Sequence, residues 1–264
     1  MKSEDFVARM KEKAIRELLS IAGDAVHEEK NITFKIGTAA IDTIRGGAIE
    51  KAAITHMVLK NISIKRAPSD DMGVSYADEG ETVHTVVFQM EIFPDNPYCP
   101  MGHFNSEWSG MGTGPSRYTT NLDLFTAVRV NEDLVRMKQV MDGVADKYGK
   151  DRAELRKGLD IHYNMDHWPF PLASMVGCKL LALEEKEFDL FTEACVTFLD
   201  MYLEIVKLRK DTSYSDDEMQ LKLKRNGRWL EYMSLKDGAV KAAQAAGITP
   251  DVLIAMLFPP SGKF

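Results

Sequence analysis

The sequence predicts an α+β fold built on a mostly antiparallel sheet. Three observations lead there. Strand-like runs follow one another over Ile32–Ile64 and Thr82–Phe93, and again near Asn121–Val130. Helix-spaced apolar stripes dominate the second half of the chain. No internal repeat or low-complexity tract interrupts this order, and 264 residues suffice for a substantial core, so 1–264 is read as one domain.

The elements follow in order. An N-terminal helix is expected over residues 4–28, within a helical segment 1–30, because Phe6, Met10, Ile15, Leu18, Ile21 and Val26 recur at roughly helical spacing. Ile32–Ile64 reads as strand material broken by a turn at Arg45-Gly46-Gly47. Ala67–Gly80, rich in Pro, Asp and Gly, reads as a polar loop, and Thr82–Phe93 alternates as a strand should. A glycine-rich connection over Gly110–Arg117 leads to the strand near Asn121–Val130. Leu134, Met137, Met141, Val144 and Tyr148 form one helical stripe. Phe188, Phe191, Cys195, Phe198, Tyr202 and Ile205 form another, at steps of three and four. Both stripes are read as core packing. A strand at Gly227–Leu235, a short helix at Gly238–Ala246 and a last helix close the chain. Pro250 after Thr249 is a start signal for that last helix.

Bulk properties exclude several function classes. Apolar residues make up 45% and charged residues 28%, an ordinary soluble composition. The formal charge of −7 argues against nucleic acid as a partner, and an acidic small molecule would need local cations. Cys99, Cys178 and Cys195 are odd in number and lack metal spacing, so they read as reduced thiols of a cytoplasmic protein. No apolar run is long enough for a membrane span, and the N-terminus has no secretory pattern. The phosphate-cradling G-x-x-x-x-G-K-S/T, the G-x-S-x-G nucleophile elbow and C-x-x-C are all missing.

Phe93–Asn105 (F-P-D-N-P-Y-C-P-M-G-H-F-N) is the most informative segment. Pro94, Pro97 and Pro100 impose an extended, rigid approach to the next strand. On that strand His103 and Asn105 are two residues apart and so point to one face, presenting a titratable group and a neutral hydrogen-bonder to the same ligand. Arg225 and Arg228 are three apart in the strand expected at the C-terminal end, which places them on opposite faces.

The segment resembles H-P-x-N-P-x-x-P-T-x-H-x-N of the oxygen-dependent coproporphyrinogen III oxidases. Other segments are similar to that family in the same order. They are Gly46–Ala53 (G-G-A-I-E-K-A-A), Asp123-Leu124, Val206–Tyr214 (V-K-L-R-K-D-T-S-Y), Lys224–Glu231 (K-R-N-G-R-W-L-E) and Leu257–Phe264. The resemblance implies a large antiparallel sheet flanked by helices on both faces, usually in a homodimer. It implies oxidative decarboxylation of two propionates of a porphyrinogen to vinyl groups, with molecular oxygen as acceptor and no organic cofactor. It points to His103 and Asp123 as catalytic, and to Asn105, Arg228, Arg225 and Gln89 as substrate contacts.

Departures from the family pattern carry a second reading. Phe93 stands where the family has histidine, and Glu107 and Trp168 stand where it has arginine. With Asp95, they point to a paralogue that acts on, or only binds, a different and less acidic tetrapyrrole. A divalent metal proposed for some members through a set of histidines is not expected. Only His103 and His167 remain of that set, Phe93 and Val144 hold two other places, and His84, Glu91 and His103 lack ligand spacing.

Overall fold

The computed structural model describes residues 2–63, 82–110, 116–245 and 247–264. Helix α1 (Lys2–Ala22) precedes six consecutive strands: β1 (Val26–Phe34), β2 (Gly37–Gly46), β3 (Ile49–Ser63), β4 (Thr82–Pro94), β5 (Met101–Gly110) and β6 (Arg117–Phe125). Then come α2 (Asn131–Lys147), α3 (Leu159–His162), β7 (Cys178–Leu183), α4 (Phe188–Arg209), α5 (Asp216–Leu235), α6 (Gly238–Ala245) and α7 (Pro250–Leu257). The strands form one sheet in the order β1 to β7, each antiparallel to its neighbours. Such an order needs only hairpin connections, except between β6 and β7, where α2 and α3 intervene.

Helices cover both faces, as expected. On one face Phe88, Phe104 and Leu122 of the sheet pack with Phe6, Leu134, Met137, Phe191 and Phe198 of α1, α2 and α4. The predicted stripes of α2 and α4 are therefore core. Phe93, Met101 and Phe125 on the other face pack with Tyr163, Trp229, Tyr232 and Leu253. Cys99, Cys178 and Cys195 are free and buried. No described helix is long and apolar enough to cross a membrane.

Three expectations are corrected. The N-terminal helix stops at Ala22, not residue 28. Gly23 adopts φ +78°, and its N–H caps the helix on the Leu19 carbonyl at 3.1 Å. This left-handed position suits glycine, and Val26, counted in the helical stripe, instead opens β1. The strand near Asn121–Val130 begins earlier and ends at Phe125. β7 has no counterpart among the expected elements.

The third correction matters most, because Gly227–Leu235 is the second half of helix α5, not a strand. Ser215 and Glu218 form a reciprocal capping box that starts the helix, a signal present in the sequence as S-D-D-E. Lys222, Arg225, Asn226, Trp229, Tyr232 and Met233 form its buried stripe. Arg225 and Arg228 are thus one turn apart, Arg225 buried and Arg228 half-buried, rather than on the two faces of a strand. The predicted loop Ala67–Gly80 lies outside the described residues, as do residues 111–115 of the glycine-rich connection and Ala246 of the predicted short helix Gly238–Ala246.

Gly227 is where the C-terminal tail crosses α5. A Cβ there would lie 2.1 Å from the Lys263 carbonyl oxygen. The tail is tied down nearby, with Lys263 N–H on the Leu223 carbonyl (2.9 Å) and Asn226 Nδ2 on the Ser261 carbonyl (2.9 Å). Alanine would gain about 1 kcal/mol of helix propensity, but the displaced tail costs about 1–3 kcal/mol as overpacking. G227A is therefore expected to lower stability, read as a reduced urea midpoint with an unchanged slope; a raised midpoint would contradict the crossing.

Candidate active site

Register places the site. Across β4, β5 and β6, Glu91, His103 and Asp123 are direct cross-strand partners, and so are Gln89, Asn105 and Asn121. Directly opposed residues share a face with Cβ atoms about 5 Å apart. These six side chains therefore form two polar rows on the face that packs beneath α5 and α7. His103 and Asn105 share a face as expected, and Gln89 and Asp123 join them.

The proline-rich connection between β4 and β5 holds that register. Asn96 Nδ2 donates to the carbonyls of Lys210 (3.1 Å) and Thr212 (2.7 Å) at the end of α4. Its Oδ1 accepts the Tyr98 N–H at 2.9 Å. From α5, Lys222 Nζ donates to the Asp95 carbonyl at 2.8 Å and pairs with Glu50 at 2.8 Å.

His103 is 5% exposed. Its ring stacks on Phe125 at 5.9 Å between centroids and meets Tyr163 and Trp229, each at 5.3 Å. Its Nδ1 lies 2.7 Å from Oε1 of Glu91. Gln89 Nε2 donates to the same oxygen at 2.7 Å. Oε2 of Glu91 is buried without a hydrogen-bond partner. Burial pushes the Glu91 carboxyl above its usual range, against the opposing pull of His103, Gln89 and Lys51.

Asp123 is fully buried. Its Oδ1 accepts the backbone N–H groups of Val176 (3.1 Å) and Gly177 (3.0 Å), and Oδ2 accepts that of Met175 (2.9 Å). Burial raises this carboxyl too, with the backbone donors pulling the other way. The side chain that the resemblance assigns to the substrate therefore holds the turn leading into β7. Asn105 is half-buried beside it, and the Oδ1 of buried Asn121 has no hydrogen-bond partner.

The two arginines do not meet at the imidazole. Buried Arg225 donates through Nη1 to the carbonyls of Phe125 (3.2 Å) and Cys99 (3.5 Å), and through Nε and Nη2 to Asn226 Oδ1. It braces the ends of β5 and β6 against α5. Arg228 lies over the Trp168 and Phe170 rings at 5.1 and 4.9 Å.

A third cation was missed by sequence reasoning. Lys51 on β3 is buried, with Nζ on the carbonyls of Ile254 (2.8 Å) and Phe258 (2.6 Å), so it ties the end of α7 to the sheet. Burial, helped by the nearby Arg45 charge and opposed by Glu91, lowers its pKa to about 7. Glu91 was also missed as a partner of His103. The available signal was one acid between Met90 and Ile92 in an otherwise apolar strand end, on the face that Phe93 shares.

His84, His103 and His167 each have other partners. His84 accepts the Asn61 N–H at 3.3 Å and has the opposite strand parity from Glu91 and His103. His167 is exposed and pairs with Glu231 at 2.8 Å. Among the described residues no group of three or more His, Cys, Asp or Glu could hold a metal ion. What the arrangement offers is a buried imidazole with one nitrogen fixed by a carboxylate, a row of carboxamides, and a set of aromatic rings packed on the imidazole.

Two outcomes follow. D123N sets an amide donor against a backbone donor at residues 175–177, and one unsatisfied buried group costs about 1–3 kcal/mol. Amide exchange at residues 175–177 should accelerate, whereas parental protection would contradict the anchor. For Lys51 the sign is that of a depressed base. The unfolded chain keeps this proton to about pH 10.4, and the folded chain releases it near 7. Stability thus climbs from pH 7 toward 10 at up to about 1.4 kcal/mol per unit. Urea titrations of the parent minus K51M should show that climb; a flat difference would rule it out.

Comparison with known proteins bears on this geometry. The family profile described as coproporphyrinogen III oxidase matches residues 2–263. The oxygen-dependent coproporphyrinogen-III oxidase of Francisella tularensis subsp. novicida is 26% identical over 195 residues, covering 70% of this chain and 62% of that protein. The enzyme of the same name from F. tularensis subsp. holarctica is 26% identical over 191 residues, covering 69% and 61%. That of F. philomiragia is 26% identical over 179 residues, covering 64% and 57%. The chain thus spans less than two thirds of the length of these relatives. With the profile matching nearly every residue, the chain belongs to the coproporphyrinogen III oxidase family.

Proposed function

We propose that this protein is an oxidoreductase of heme biosynthesis that converts two propionates of coproporphyrinogen III to vinyl groups, giving protoporphyrinogen IX. For each side chain the balance is propionate plus O2 plus one proton giving vinyl, CO2 and H2O2. Two electrons leave the substrate and oxygen takes both, so no organic cofactor is required. The single observation that carries the reading is the packing of His103 against Phe125, Tyr163 and Trp229, with Asn105 on the same sheet face, within the family's own motif. His103 exchanges protons with the macrocycle, and Asn105 and Gln89 serve its polar edge. Lys179, the cross-strand partner of Asn121, adds a cation to the Gln89–Asn105–Asn121 row. A homodimer in the cytoplasm completes the proposal.

A second reading has its own support. Glu107 lies on the face of His103 and Asn105, Arg225 is spent on backbone carbonyls, and Arg228 is stacked on Trp168 and Phe170. A charged hydrogen bond contributes about 1.5–3 kcal/mol. Two missing guanidinium contacts would weaken a tetracarboxylate by roughly two to four decades. That favours a less acidic tetrapyrrole in the same site.

The experiment is anaerobically prepared coproporphyrinogen III mixed with oxygen, with product mass as the readout. Loss of two carboxyl groups is expected. No loss under conditions where an established family enzyme works would defeat the first reading, and tighter binding of dicarboxylate than of tetracarboxylate porphyrins would establish the second.

A further inference from the structure

His103 is flanked by an acid on each neighbouring strand, Glu91 on β4 and Asp123 on β6, both in direct register with it. Register alone makes them equivalent; their hydrogen bonds do not. The oxygens of Asp123 accept three backbone N–H groups of residues 175–177. Glu91 instead holds the imidazole, at 2.7 Å from Nδ1, and Gln89 steadies the same carboxylate oxygen. We propose that Glu91, and not Asp123, is the carboxylate that works with His103: a positioning residue that holds Nδ1–H and so leaves Nε2 as the atom that exchanges a proton with the bound ligand.

The chemistry follows from the imidazole itself. A neutral ring has one donor and one acceptor nitrogen, and a carboxylate on Nδ1 selects the tautomer whose Nε2 accepts. The Phe125, Tyr163 and Trp229 rings fix its plane. Phe93, two residues along β4, offers no polar group to share this work.

The inference takes its ligand from the proposed function but not its geometry, so the test has two arms. In the unliganded 15N-labelled protein, long-range correlations of the His103 ring report which nitrogen carries the proton. Nδ1–H is expected in the parent, in D123N and in E91Q, whose amide oxygen can still accept, with a change to Nε2–H in E91M. An E91M ring pattern identical to the parent's would overturn the proposal.

The second arm is turnover of coproporphyrinogen III. E91M should lose kcat by about 100-fold, the scale of a misplaced acid–base group, with KM within about threefold, as for an interaction that matters only in the transition state. E91Q keeps the shape without the charge and should lose about 10-fold. Parental kcat in E91Q would overturn the proposal even if E91M fails to fold. A parent that does not turn over this porphyrinogen removes the substrate assignment, and the ring pattern alone then decides the role of Glu91.

Discussion

The antiparallel register of β4, β5 and β6 is the constraint on which the rest of this molecule depends. Side chains on a strand alternate with a period of two, so a slip of one residue would send His103, Asn105 and Asp123 to the face occupied by α1, α2 and α4. The apolar residues between them, Phe88, Met90, Phe104, Leu122 and Leu124, make that slip costly because each fills the opposite core. The proline-rich connection adds a second lock through Asn96, whose carboxamide ties the hairpin to the end of α4. The motif that marks the family is therefore first a device for register, and it presents its histidine as a consequence.

Lys51, Glu91, Asp123 and Arg225, buried where the sheet meets α5 and α7, all carry charge in water. An unpaired buried charge costs several kcal/mol, so each must find partners. Three of them find backbone. Lys51 takes carbonyls at the end of α7, Asp123 takes amides before β7, and Arg225 takes carbonyls of Cys99 and Phe125. Glu91 is matched to side chains only, Gln89 and His103, and keeps one oxygen without a hydrogen-bond partner. Groups bound to backbone define where helices and turns sit. A group bound to an imidazole has the freedom to serve chemistry.

The same accounting separates cations that build the site from cations that could greet a ligand. Arg225 is spent structurally, Lys222 holds Glu50 and the Asp95 carbonyl, and Arg228 lies across two aromatic rings. Glu107 shares the face of β5 that carries His103 and Asn105.

Much of this was legible in the sequence. Period-two alternation determined β4 and put His103 and Asn105 on one face, and steps of three and four determined the buried stripes of α2 and α4. Pro250 after Thr249 marked α7, and the ordered motifs marked the family. The capping box of α5, Ser215 with Glu218, was equally readable. Tertiary structure alone decided the rest. Which acid would face His103 depends on the register of two hairpins, and whether Asp123 or Arg225 would reach a ligand depends on which backbone groups arrive beside them from residues 99, 125 and 175–177. Local sequence sets a side chain's face through the geometry of one strand or helix. Its partners come from segments distant in the chain, and only packing brings those together.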